Sequence, residues 1–125
     1  MLLNMSEKKK QKARLIMTNS EVFKEYAMPF LSEAEDDLNA LRFAALVAMI
    51  CWNLTLFPED QIERRKYELI DSLVKDINDF PIVERIVDFL VSRKLLLFNE
   101  FKSLIVDVNI YPHKEGWKMI VTGLE

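Results

Sequence analysis

FAALVAMICWNLTLF, residues 43 to 57, carries only two polar side chains, Asn53 and Thr55, with Arg42 before it and Pro58 after it. At 1.5 Å per residue a helix of this length spans roughly 22 Å, against roughly 30 Å for the hydrocarbon layer of a bilayer, so the run is read as a buried helix and not as a membrane span. A helix that is apolar on every side is expected to be surrounded by protein. The rest of the chain must therefore supply helices that pack around it.

Upstream, Ser32 followed three residues later by Glu35 has the spacing of a capping box, and Glu33, Asp36 and Asp37 put negative charge where the helix dipole favours it. The central helix is predicted over about 33–56. It is amphipathic through Ala34, Leu38 and Leu41, then apolar all round, with Ala44, Ala45 and Ala48 admitting a close neighbour. Downstream, Pro58 followed by Glu59 and Asp60 opens a second long helix, predicted over about 59–78. Its apolar positions Ile62, Leu69, Ile70, Leu73, Val74 and Ile77 keep helical spacing. A third helix is predicted over about 81–97, capped by Asn78 or Asp79, begun by Pro81, and ended near Leu97 with Arg93 and Lys94 in its last turns and Asn99 as its exit. Before all of these, Ser20 caps a short helix through Val22, Phe23 and Tyr26 that ends near Pro29.

From Ser103 the period changes to two. Leu104, Val106, Val108 and Ile110 alternate with Ile105, Asp107, Asn109 and Tyr111, and after Pro112 to Gly116 a second strand carries Trp117, Met119 and Val121 on one face. The pattern predicts an antiparallel hairpin over about 103–111 and 117–123. Two strands alone are marginal in water, so the hairpin must pack on the helices, on a second copy, or on both. The expected fold class is α+β, mainly α: three long helices, a short N-terminal helix and a C-terminal hairpin.

A chain of 125 residues, half of them hydrophobic and with six Gly and Pro in total, suits one helix-rich domain, read as residues 15–125 behind a basic segment at 1–14. That segment holds Lys8, Lys9, Lys10, Lys12 and Arg14 against Glu7, net +4, which leaves about −7 on the remainder. The basic run is read as a solvated segment first and as an anion contact second; the overall net charge of −3 argues against blanket attraction to phosphates. Cys51 is the only cysteine, so no internal disulfide forms and no zinc site rests on thiolates; no export signal is read, and a cytoplasmic location is expected.

Chemistry-bearing constellations are scarce. His113 is the only histidine and falls in the hairpin loop, while Cys51 falls mid-run in the apolar helix, so a catalytic pair is not expected. Glu68 with Asp71 and Glu84 with Asp88 have metal-ligand spacing, but no histidine lies on a helix to complete a carboxylate-bridged centre. Phosphate-binding glycine loops and EF-hand loops are absent from the sequence. The chain is therefore read as non-enzymatic, without cofactor or metal. Asn53 draws notice, because an amide among apolar groups costs about 1 to 3 kcal/mol unless it finds partners. It either bonds a backbone carbonyl and selects one packing register, or joins Trp52 and Tyr67 in lining a pocket.

These features favour a protein–protein interaction protein that associates with itself as a homodimer, with Leu104, Val106, Val108, Trp117, Met119 and Val121 as interface candidates. The order helix, helix, helix, hairpin also resembles a winged-helix DNA-binding domain. That resemblance implies a reading helix at 81–97, offering Arg85, Ser92, Arg93 and Lys94, and a wing tip at 112–116.

Overall fold

A computed structural model describes residues 19–124. The elements follow in the order α1 (Asn19–Leu31), a 3-10 turn (Ser32–Ala34), α2 (Leu38–Leu54), α3 (Glu59–Leu73), a 3-10 turn (Ile77–Asp79), α4 (Phe80–Leu97), β1 (Leu104–His113) and β2 (Gly116–Leu124). The fold is α+β and mainly α. α2 touches α1, α3, α4 and β1, while β2 lies against α1. The basic residues Lys8, Lys9, Lys10, Lys12 and Arg14, and the boundary near residue 14, lie outside the described residues.

Pro29 does not end the first helix as expected. α1 runs on to Leu31 with Pro29 in its last turn, where the missing N–H deprives the Glu25 carbonyl of its helical donor. Arg93 of α4 supplies the substitute: its Nη2 donates to Glu25 O at 3.1 Å and its Nε to Tyr26 O at 2.9 Å. One guanidinium thus offsets the proline and binds α1 to α4.

The central helix starts later than the Ser32 capping box predicts. Ser32 turns back, its Oγ donating to Pro29 O at 3.1 Å, and the chain reverses at Glu35, which takes φ 54°. Asp37 is the true cap. Its extended backbone lets the carboxylate accept from Asn39 N at 3.0 Å and Ala40 N at 3.2 Å, which fixes the first turn at Leu38. At the far end Leu54 is the last helical residue, and Thr55 Oγ1 closes back onto Trp52 O at 2.7 Å. The second long helix is also shorter than predicted: Val74 adopts an extended conformation, and Asp76 caps a separate turn through Asn78 N at 2.9 Å. α4 begins one residue before Pro81 and ends at Leu97.

The hairpin is longer than predicted and carries a bulge. β1 and β2 pair from Leu104 opposite Leu124 to His113 opposite Gly116, leaving a two-residue turn at Lys114 and Glu115. Gly116 takes φ 136°, a conformation L side chains rarely adopt, with open space where a Cβ would stand; the requirement is conformational and not steric. The register shifts between Ile105 and Asp107, so Val106 is extra. The strict alternation read from the sequence is thereby broken: Ile105 and Ile110 are buried and Val108 is half-buried, whereas Leu104 and Val106 face out. On β2, Met119 and Val121 are buried and Trp117 half-buried under Lys24, whose Nζ sits 5.2 Å from the indole centroid.

One continuous core joins these elements. Its centre is aromatic. Tyr26 meets Trp52 edge-on at 5.2 Å and Phe98 at 5.8 Å, and Phe23 packs on both Tyr26 and Trp52. Tyr26 keeps its hydroxyl satisfied on Leu90 O at 2.9 Å, and burial raises its pKa well above the ordinary value.

Candidate interaction surface

The helix that the sequence expects to be enclosed on every side is not. Leu41, Ala44, Ala45, Val47, Ala48, Cys51, Trp52 and Leu54 face inward, but Phe43 is 58 % exposed, Leu46 48 % and Phe57, in the turn after the helix, 41 %. Phe43, Leu46, Ile50, Asn53 and Phe57 recur at intervals of three, four, three and four residues, the seam spacing by which one helix receives another. The exposed residues therefore form one line down the outer face of α2.

Asn53 and Arg42 build one wall of this face. Asn53 Nδ2 donates to Ile105 O at 2.8 Å while its Oδ1 accepts from Ile105 N at 2.9 Å, so the side-chain amide behaves as a strand partner for both backbone groups beside the bulge. Arg42 Nε donates to Ile110 O at 3.2 Å, and Trp52 Nε1 to Ser103 O at 2.8 Å. The spacing is matched: eleven residues of helix from Arg42 to Asn53 and five residues of strand from Ile105 to Ile110 each span roughly 16 to 17 Å. β1 thus lies antiparallel along α2 with its open edge covered at both ends by α2 side chains, a common protection of an edge strand. By alternation, Pro112 presents its missing N–H to the same open edge.

The other wall comes from α3. Arg65 stacks its guanidinium 3.6 Å over the Phe57 ring and reaches Gln61 Oε1 at 3.3 Å. Ile50, Asn53, Leu54, Phe57, Arg65, Glu68 and Leu69 line a shallow groove of about 370 Å³ between α2 and α3. At the opposite end of α2, Glu33, Glu35, Asp36 and Asp37 are all exposed. The face is apolar along its middle and carries charge of both signs at each end, Arg42 with Asp36 and Asp37 at the N-terminal end and Arg65 with Glu59, Asp60 and Glu68 at the C-terminal end.

The interface residues expected from the sequence divide. Leu104 and Val106 are exposed on either side of Ile105, at the Asn53 end of α2. Val108 and Trp117 are half-buried against the helices, and Met119 and Val121 are 7 % and 9 % exposed, so the inner hairpin face is consumed within the chain. The expected pocket also divides. Asn53 lines the α2–α3 groove, Trp52 is buried in the aromatic core, and Tyr67 stands outside that groove, its hydroxyl donating to Glu84 at 3.1 Å. The hydrogen bond to Glu84 raises the Tyr67 pKa.

The carboxylate pairs have other employment. Lys66 bridges Glu63 at 2.9 Å and Asp88 at 2.8 Å, and Glu68 meets Arg64 at 3.7 Å. Burial alone lowers the Lys66 pKa, but the two carboxylates outweigh it and the net shift is upward. Among the described residues no group of three or more His, Cys, Asp or Glu stands ready for a metal ion, and no helix is long and apolar enough to cross a membrane. Cys51 is fully buried, which pushes its thiol up to about 12. His113 sits on the exposed hairpin end.

The sequence places Lys94 on the free face of a reading helix, yet it is 1 % exposed. Its Nζ donates to Phe101 O at 2.8 Å and lies 4.5 Å from the Trp52 ring centroid, bracing the connection from α4 to β1. Burial pulls its pKa down to about 8; nearby Lys102 adds to the effect and Glu100 opposes it. The signal was in the spacing, since Lys94 follows Val87 by seven and Leu90 by four, which puts it on the apolar stripe. On the outer side of α4, Ile82, Phe89 and Leu96 are exposed. Comparison with protein-family models, curated proteins and solved structures gives no match.

Proposed function

We propose that this chain is a non-enzymatic interaction protein that associates with a second copy of itself through the outer face of α2, joined by Leu104 and Val106 of the hairpin. The observation that carries the reading is the exposure of Phe43 and Leu46 on a helix whose sequence is apolar all round, continued by Phe57 in the turn after it. Covering their exposed parts removes on the order of 250 Å² per chain, worth roughly 6 kcal/mol at 25 cal/mol/Å². Two chains contribute twice that, against an association cost of roughly 4 to 15 kcal/mol, so a reversible dimer of moderate affinity is expected. DNA reading by α4 has less support. Arg93 is committed to α1 and Lys94 is buried, leaving Arg85 with a largely apolar outer face.

The test compares Leu46→Asp with Ile120→Asp, an equally exposed apolar residue on the outer hairpin face, by sedimentation across a concentration series. Leu46→Asp is expected to leave a folded monomer while Ile120→Asp dimerises as the unaltered chain does. Equal association of both variants would refute the assignment to α2.

A further inference from the structure

We infer that residues 99–103, which lead from α4 to β1, form a strap closed over the buried ammonium of Lys94, and that this strap opens to water more readily as the pH falls. Self-association plays no part in it. Lys94 lies on the inner side of α4, 1 % exposed, and Phe101 O at 2.8 Å is the one hydrogen-bond acceptor it meets among the described residues. Its Nζ also faces the Trp52 ring, 4.5 Å from the centroid. Among the described residues no carboxylate forms an ion pair with it. An ammonium has three donors, and one oxygen with one aromatic face returns less than the hydration it has lost. The closed fold therefore holds this proton less firmly than water does.

The cover over Lys94 is thin. Phe98 is locked into the core against the Tyr26 and Trp52 rings, but beyond it Asn99, Glu100 and Lys102 are exposed and Phe101 and Ser103 are half-buried. Among the described residues two hydrogen bonds tie the strap to the helices: Lys94 Nζ to Phe101 O, and Trp52 Nε1 to Ser103 O at 2.8 Å. Lifting the strap breaks both and returns the ammonium to water. The charged and titratable groups around Lys94 are Lys102 and Glu100 on the strap, Arg93 on α4 with its guanidinium over the Phe98 ring, Tyr26 on α1 and Cys51 on α2. Burial raises Tyr26 well above its ordinary pKa and pushes Cys51 up to about 12, so both keep their protons in the closed fold up to pH 9. Lys94 is the group that changes. Its pKa is about 8 when covered, against about 10.4 in water, so the open form binds the proton more tightly. Opening is therefore favoured as the pH falls towards 8, and the effect levels off below that value.

Hydrogen exchange of the Trp52 indole N–H in the full chain reads the strap directly, because that proton is donated to Ser103 O. Its protection is the exchange rate of the urea-unfolded chain divided by that of the folded chain at the same pH. From pH 7 to pH 9 the protection is expected to rise about tenfold. The backbone amide of Ala48, buried in the middle of α2, supplies the level set by unfolding of the whole chain, and the indole should be protected at least tenfold less. Lys94→Met removes the titrating group and Lys94→Arg stays charged throughout, so the tenfold rise should vanish in whichever of the two folds. Protection of the indole equal to that of Ala48 would mean that the strap opens only with the whole fold. That result would overturn the inference, as would protection that stays level from pH 7 to pH 9 in the unaltered chain or that rises as much in Lys94→Arg or Lys94→Met.

Discussion

The double hydrogen bond between Asn53 and Ile105 allows a test with a change of sign. Asn53→Ala removes the amide and leaves Ile105, 2 % exposed, with an unpartnered N–H and C=O in place of bonds at 2.9 and 2.8 Å. At about 1 to 2 kcal/mol for each group, the loss is about 2 to 4 kcal/mol. Asn53→Asp is nearly isosteric and keeps an acceptor for the N–H, but at neutral pH it turns a second carboxylate oxygen toward Ile105 O, where the amide had a donor. It should be at least as destabilising as alanine at pH 7. Protonation restores the donor, so the folded chain raises this carboxyl above its unfolded pKa of about 3.9, and the folded state holds the proton more tightly than the unfolded one. Stability is then recovered as pH falls through the folded value. Urea unfolding followed by tryptophan fluorescence at pH 7 and pH 4, each variant referred to the unaltered chain at the same pH, measures this. If the deficit of Asn53→Asp fails to shrink relative to Asn53→Ala on acidification, the strand-partner role of Asn53 is refuted.

Lys94 gives a second pH test. Its ammonium has a pKa of about 8 when folded, against about 10.4 unfolded, so between these values the unfolded chain binds more protons and stability rises with pH. The stability of the unaltered chain minus that of Lys94→Met should increase by about 2 kcal/mol between pH 7 and pH 10 in urea titrations, the titrations of Cys51 and Tyr26 cancelling in the difference. Met119→Ala, at an inward position beside Ile110, should cost about 2 to 3 kcal/mol in the same assay, whereas Val106→Ala on the bulge should cost about 0.5 kcal/mol or less. Cys51, buried and with its thiol pushed up to about 12, should resist thiol reagents in the folded chain and react once urea unfolds it; fast labelling under native conditions would contradict its burial.

Helical periodicity and the change to alternation at Ser103 were enough to read the long helices and the hairpin, because both report which face meets the core. Helix ends were less legible. Ser32, Glu35, Asp36 and Asp37 all suit a cap, and only the reversal at Glu35 decides for Asp37. The bulge left no mark, since Leu104, Ile105, Val106 and Val108 are all apolar and either parity satisfies the pattern. The cost of an amide among apolar groups marks Asn53 in the sequence, but its partner lies 52 residues away and is chosen by the fold. The outer seam of α2 was hidden for the opposite reason: in a run where almost every position is apolar, no contrast separates the exposed line Phe43, Leu46 and Phe57 from the buried one. Pro29 and Arg93 show the same limit, because the helix continues through proline only where a distant guanidinium takes over the freed carbonyl.

The central claim is that the open face of α2 is covered by a second copy, and the mass of the unaltered chain in solution tests it most directly. Light scattering over a concentration series, at low and high salt and with and without a generic DNA duplex, is predicted to give a monomer–dimer equilibrium that persists at high salt and ignores the duplex. A mass fixed at 14.7 kDa across the series, or a chain that joins the duplex at low salt and leaves it at high salt, would contradict the account.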